Sequence, residues 1–191
     1  MDIEQYVMAY EVEQDRLRAL LPDGFISLRP VLRINAEVRC GKIGYVEFNT
    51  PVEKGGTRGW LNIGYTDTAA FVCKGQTITF NMAHLTISFT SVGIAGSCPA
   101  EKDNAGCFFL QAGKETLRRV EEITANKEFC DCRFAWRFGQ EGAQGISQGK
   151  TLPAYPTEVQ HVYPKEAFTV ENAAKIPCQQ VLGTYKVLFT R

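Results

Sequence analysis

The clearest pattern in the chain is the alternation of VLRINAEVR, residues 31 to 39. Leu32, Ile34, Ala36 and Val38 fall on one face, and Arg33, Asn35, Glu37 and Arg39 on the other. Side chains of a strand point to its two faces in turn, so this period of two predicts a β-strand whose faces meet different surroundings. The polar face suits either the wet side of an open sheet or the lumen of a closed barrel. Just upstream, VEQDRLRALLPDGF sets Asp15, Arg16 and Arg18 against Leu17, Leu20 and Leu21, and Pro22 and Gly24 follow. That is the signature of a short amphipathic helix with a stop signal. GYVEFNTPV, WLNIGYTD and AAFVCKG read as further strands separated by glycine-rich turns, with EKGGTRG as the loop between the first two. ITFNMAHLTISFTSVGIAG continues the β content, with FNMAHLTISF as a single strand. KETLRRVEEITANKE, residues 114 to 128, predicts a longer helix with Leu117, Val120 and Ile123/Thr124 inward. DCRFAWRFG and QVLGTYKVLFTR read as strands, and EGAQGISQGKTLPAYP as a loop. Together these elements predict a β-rich domain with one or two helices, built as a barrel or a strongly curved sheet.

Composition narrows the functional classes. The chain has 191 residues, 45% of them apolar, and its 21 basic side chains balance 21 acidic ones. This predicts one domain over residues 1–191 with no electrostatic footprint for nucleic acid or an anionic membrane. No 18-residue apolar run is present, and the opening MDIEQY is acidic, so neither a membrane span nor a signal peptide is expected. Seven cysteines without a disulfide rhythm suit a reducing compartment, and a cytoplasmic location is the expectation. Cys130-Asp131-Cys132 lacks a second Cys/His pair at zinc-like spacing, so no metal and no other cofactor is expected.

The chain contains two histidines, His84 and His161. His84 interrupts the apolar stretch FNMAHLTISF, where an imidazole is either a satisfied core residue or a proton-transfer group. No G-x-S-x-G motif, dinucleotide fingerprint or phosphate loop accompanies it.

Three segments, in order and spacing, resemble the acetoacetate decarboxylase family. They are AYEVEQDRLRALLPDGF with RPVLRINAEV, then GYVEFNTPVEKGGTRGWLNIGYTDTAAFVCKG, then VENAAKIPCQQVLGTYKVLF. The resemblance implies a closed or cone-like antiparallel β-barrel with one or two flanking helices, a β-rich α+β fold enclosing a small pocket. In that family a Pro-Lys-Lys run follows the glycine equivalent to Gly75. Its first lysine forms a Schiff base with a keto acid, and the second holds the pKa of the first down. Here the matching positions are Met82, Ala83 and His84, and no Lys-Lys dipeptide occurs anywhere in the chain. Glu47 matches a glutamate that lines the family's active site, and a second family carboxylate falls on Asn35, with Glu37 two residues further along the same face.

Alanine cannot form an iminium, and imidazole does so only unstably with a ketone. What the resemblance leaves is Glu47 and His84 as acid/base candidates, with Arg33, Asn35, Glu37, Arg39 and Ala83 lining a ligand pocket. The arginines suit a carboxylate through forked hydrogen bonds. The leading expectation is a protein that binds a small organic acid or ketone, or performs non-covalent acid/base chemistry on it. Two alternatives stand beside it: an active lyase, a decarboxylase or aldolase-dehydratase using another lysine such as Lys74, Lys102 or Lys114, and a non-enzymatic carrier barrel. A homo-oligomer is an expectation from the family alone.

Overall fold

The computed structural model describes residues 1–97, 105–119, 123, 125–138 and 161–191. Its elements in chain order are β1 (Asp2–Glu11), α1 (Gln14–Leu20), β2 (Ile26–Ser27), β3 (Val31–Arg39), β4 (Ile43–Lys54), β5 (Thr57–Thr66), β6 (Ala70–Lys74) and β7 (Thr77–Asn81). There follow β8 (Leu85–Gly96), β9 (Cys107–Gln111), β10 (Lys114–Arg118), β11 (Lys127–Trp136), α2 (Val170–Ala174) and β12 (Gln180–Thr190). The twelve strands form one sheet in the order β10-β9-β5-β4-β3-β1-β12-β11-β8-β7-β6, with β2 beside β4.

The sheet is strongly curled. Ring contacts across its interior join Tyr6 of β1 to Phe80 of β7 and Phe89 of β8, and Phe48 of β4 to Trp136 of β11. Met8, Ile34, Phe80, Ile87 and Phe89 are fully buried in the wrapped core, which Leu17 and Leu20 of α1 and Ala173 of α2 cover. The apolar half of the period-two pattern in β3 therefore faces inward, as its alternation requires.

The expected closure of the barrel is not found. β10 and β6 are the two ends of the strand order, and β6 reaches the far side through one backbone hydrogen bond, Ala69 N–H to Gly44 O at 2.9 Å. Nor are all the neighbours antiparallel: β5 and β9 pair in parallel at Trp60/Cys107 and Leu61/Phe108.

Two local expectations also fail. The helix over 114–128 is replaced at its start by β10, which pairs with β9 across a two-residue turn. Ala112 and Gly113 both have positive φ (49° and 76°), the backbone twist that joins tight hairpins. Pairing with β9 satisfies the backbone polar groups on that edge of β10, and no core awaits the helical stripe, since Leu117 is exposed. Val120 and Thr124 lie outside the described residues, as does the loop 141–156. FNMAHLTISF, read as one strand, is a hairpin: β7 ends at Asn81, Met82 N–H donates to Leu85 O at 2.8 Å, and β8 returns with Ile87 opposite Phe80. α1 falls where its apolar spacing places it. By contrast α2 sits at the start of VENAAKIPCQQVLGTYKVLF, the segment that resembles the family's closing strand, and Thr169 caps it by accepting from Asn172 N–H at 3.1 Å.

Candidate functional site

Cross-strand register carries the polar half of β3 into a row that spans several strands. Asn35 lies opposite Val7 of β1 and Glu47 of β4, and Glu47 lies opposite Tyr65 of β5. On either side run Gln5–Glu37–Tyr45 and Arg33–Asn49–Asn62. Directly opposed residues share a face, so these side chains all stand on the side of the sheet away from the wrapped core. They are nevertheless buried: Arg33, Asn35, Glu37, Glu47, Asn49 and Asn62 are all at most 9% exposed. The polar face thus neither meets solvent nor lines the interior of the curl, the two surroundings that the alternation left open. Trp60, Cys107 and Phe109 form a small apolar cluster beside it.

Glu47 is the hub of the row. Its Oε1 accepts from Asn35 Nδ2 at 3.0 Å and Asn49 Nδ2 at 3.1 Å, and its Oε2 accepts from the Tyr45 hydroxyl at 2.8 Å. All three donors are neutral. Because a carboxylate only accepts, the amide of Asn49 must turn its nitrogen to Glu47. Its Oδ1 then accepts from Arg33 Nε at 2.8 Å, and the Arg33 guanidinium lies 3.5 Å over the Trp60 ring. The same logic aims Asn35 Oδ1 away from Glu47, where it has no donor, and Asn62 Nδ2 has no acceptor. Burial, with the Glu47 carboxylate alongside, raises the Tyr45 phenol and keeps it protonated as a donor.

Glu37 is satisfied within the row, by Gln5 Nε2 at 3.3 Å and a two-nitrogen contact from Arg39 at 2.7 Å, with the Arg39 guanidinium over Tyr45. Arg39 is therefore occupied with a carboxylate of its own chain.

His84 and Ala83 stand elsewhere. Both are exposed in the bend between β7 and β8, where the His84 ring stacks on Phe138 at 4.6 Å and its Nδ1 lies 3.3 Å from Arg137 O. None of its contacts involves the Glu47 row, so the structure does not bring the two acid/base candidates into a pair. The register that separates them was invisible to the one-strand reading of FNMAHLTISF.

Among the described residues no lysine is buried. Lys74 and Lys114 are exposed, and Lys102 lies outside the described residues. Sequence reasoning passed over Lys127, whose ammonium sits 4.1 Å over the ring of Tyr185, a residue directly opposite Val7 in the Asn35–Glu47 row. The ring face favours the charged amine. Only the pairing of β11 with β12 places it there, and no local signal marks it.

Cys107 and Cys130, both buried, and half-buried Cys132 are unreactive by environment. Burial pushes Cys107 up to about 12, Cys130 to about 11 and Cys132 to about 12. Iodoacetamide at pH 8 is expected to alkylate the exposed Cys40 and Cys73 well before these three, as read by peptide mass mapping. Early labelling of Cys107 would contradict its burial. Raised values in the folded state mean that this contribution to stability is complete below pH 9 and is lost as pH climbs towards 11–12.

No protein-family model matches the chain, and no curated protein matches it. Solved structures do. An acetoacetate decarboxylase from Legionella pneumophila subsp. pneumophila superposes with a TM-score of 0.61 at 12% identity, over 97% of this chain and 80% of that one. An acetoacetate decarboxylase-like enzyme from Sphingomonas wittichii gives 0.55 at 10% identity over 98% and 87%. The enduracididine biosynthesis enzyme MppR complexed with pyruvate gives 0.54 at 10% identity over 98% and 84%. The chain has the acetoacetate decarboxylase-like fold, with only 10–12% of its sequence identical to these proteins.

Proposed function

We propose that this protein binds a small organic acid or ketone at the buried row centred on Glu47, without forming a Schiff base to the Ala83 position. The observation that carries this reading is a buried carboxylate held by three neutral donors and flanked by two amide atoms, Asn35 Oδ1 and Asn62 Nδ2, that have no partner. Buried polar atoms left unpaired inside an otherwise satisfied network are costly, and sites for polar ligands are where such atoms collect. Arg33 supplies positive charge to the same row. Glu47 stands there as a base facing the ligand, Asn62 Nδ2 is a free donor to a ligand oxygen, and Tyr45, Asn35 and Asn49 fix the orientation of Glu47. A neighbour of the same fold holds pyruvate, a 2-oxo acid, which supports the ligand class.

The test is a panel of 2-oxo and 3-oxo acids, with binding followed by calorimetry and covalent capture by borohydride followed by intact mass. Saturable binding without a trapped adduct is the expected result, and Asn62→Ala, which removes the unpartnered donor, should weaken it roughly fivefold, about the worth of one neutral hydrogen bond. An adduct would overturn the non-covalent reading in favour of a lyase, and peptide mapping would say whether Lys127 carries it. No binding across the panel would remove this ligand class.

A further inference from the structure

The strand order ends at β10, and among the described residues no strand continues it. Every residue of β10 from Lys114 to Arg118 is exposed. A two-residue turn joins Lys114 to Gln111 as a hydrogen-bonded pair, and such pairs alternate along an antiparallel ladder. Thr116 and Arg118 therefore direct their backbone groups to β9, whereas the N–H and C=O of Glu115 and Leu117 point to the open edge.

An apolar row runs out to that edge. Leu61 of β5 lies beside Phe108 of β9, and Phe108 lies opposite Leu117 of β10. Leu61 and Phe108 are buried with Leu21, Phe25 and Val52, but Leu117, where the row stops, is 42% exposed. Unpaired backbone groups on a sheet edge are a template for one more strand. Which strand fits is decided by the side chains.

A second β10, antiparallel and related by a two-fold axis normal to the sheet, keeps each residue on its own face. With that axis at Leu117, the leucine meets its own copy and the apolar row continues from one molecule into the other. Glu115 then meets the partner's Arg119, and the symmetry makes this pair twice. Arg119, the residue after β10, has no ion-pair partner among the described residues, and Lys54 takes only Oε2 of Glu115. Neighbouring registers fit worse: an axis at Thr116 sets Lys114 against Arg118, and one at Glu115 sets that carboxylate against itself.

We infer that β10 is the docking edge for β10 of a second copy of this chain, in the register centred on Leu117, so that two sheets join into one. This contact is independent of the Glu47 row.

Sedimentation equilibrium of the full chain at low ionic strength tests it. The unmodified protein should pass from monomer to dimer with a midpoint between about 10 and 100 μM, as suits an interface of one strand pair. Leu117→Pro removes an N–H that β9 does not use, a change a free edge tolerates, and should weaken association at least about tenfold. Arg119→Glu sets like charges opposite each other and should weaken it about fivefold, while Glu115→Arg combined with Arg119→Glu should return it to within about twofold of the parent. The charge exchange carries the test even if Leu117→Pro does not fold. A protein that stays monomeric up to about 0.5 mM, a folded Leu117→Pro protein that associates like its parent, or a loss in Arg119→Glu that the exchange does not restore overturns the inference. So does association that Arg119→Glu leaves unchanged, which would put the contact on another surface.

Discussion

Replacing Gly44 by alanine should destabilise the protein by about 3 kcal/mol or more, enough to unfold a domain of ordinary stability at moderate temperature. A Cβ at this position would lie 2.0 Å from the carbonyl oxygen of Ala69, 3.0 Å from its carbon and 3.1 Å from the ring of Phe71. The first two are backbone atoms, so no rotamer change relieves the clash. Gly44 O also accepts from Ala69 N–H, the bond that draws the approach to β6 onto the start of β4. Urea unfolding of Gly44→Ala beside Gly183→Ala provides the comparison, because a Cβ at Gly183 meets nothing within 4 Å and the change there should be nearly neutral. If both variants unfold at the same urea concentration as the parent, β6 does not pack on β4 as described.

Glu47→Ala should cost about 3–5 kcal/mol, because it strips the acceptor from three buried donors at once. Asn35 Nδ2, Asn49 Nδ2 and the Tyr45 hydroxyl would all lose their partner, and Asn35 would then have both amide atoms unsatisfied. Glu47→Gln should fall between the variant and the parent, since an amide oxygen still accepts while its NH2 group meets donors. The coupling between positions 45 and 47 can be isolated by a double-mutant cycle with Tyr45→Phe, for which about 1–2 kcal/mol is expected. A Glu47→Ala protein as stable as its parent would mean that the carboxylate is not the hub of the row, and the proposed ligand site would lose its organising group.

The two positions differ in how far the sequence announced them. Glu47 was marked by resemblance, in a segment read as a strand. Gly44 looked like any glycine before an aromatic residue, and its role depends on Ala69 arriving from another part of the chain.

By itself the sequence determined the strands that carry a period-two pattern, most plainly Val31–Arg39, and the short helix at Gln14–Leu20 with its leucines inward. These patterns are local, and burying an apolar face satisfies them whatever the partner. The polar row Arg33, Asn35, Glu37 and Arg39 was also legible as a row. What covers it, and which atoms within it stay unpaired, was decided by tertiary structure: by β4 and β5 setting Glu47, Asn49 and Asn62 beside it in register. Tertiary pairing likewise overrode helix propensity at Lys114–Arg118, because a neighbouring strand and a positive-φ turn there met the backbone's hydrogen-bonding needs and no core offered the helix a face. His84 went to a bend beside Phe138, far along the chain from the residue it stacks on. Alternation along a strand reports which residues share a face, whereas the partner of that face is a long-range choice that no short window of residues contains.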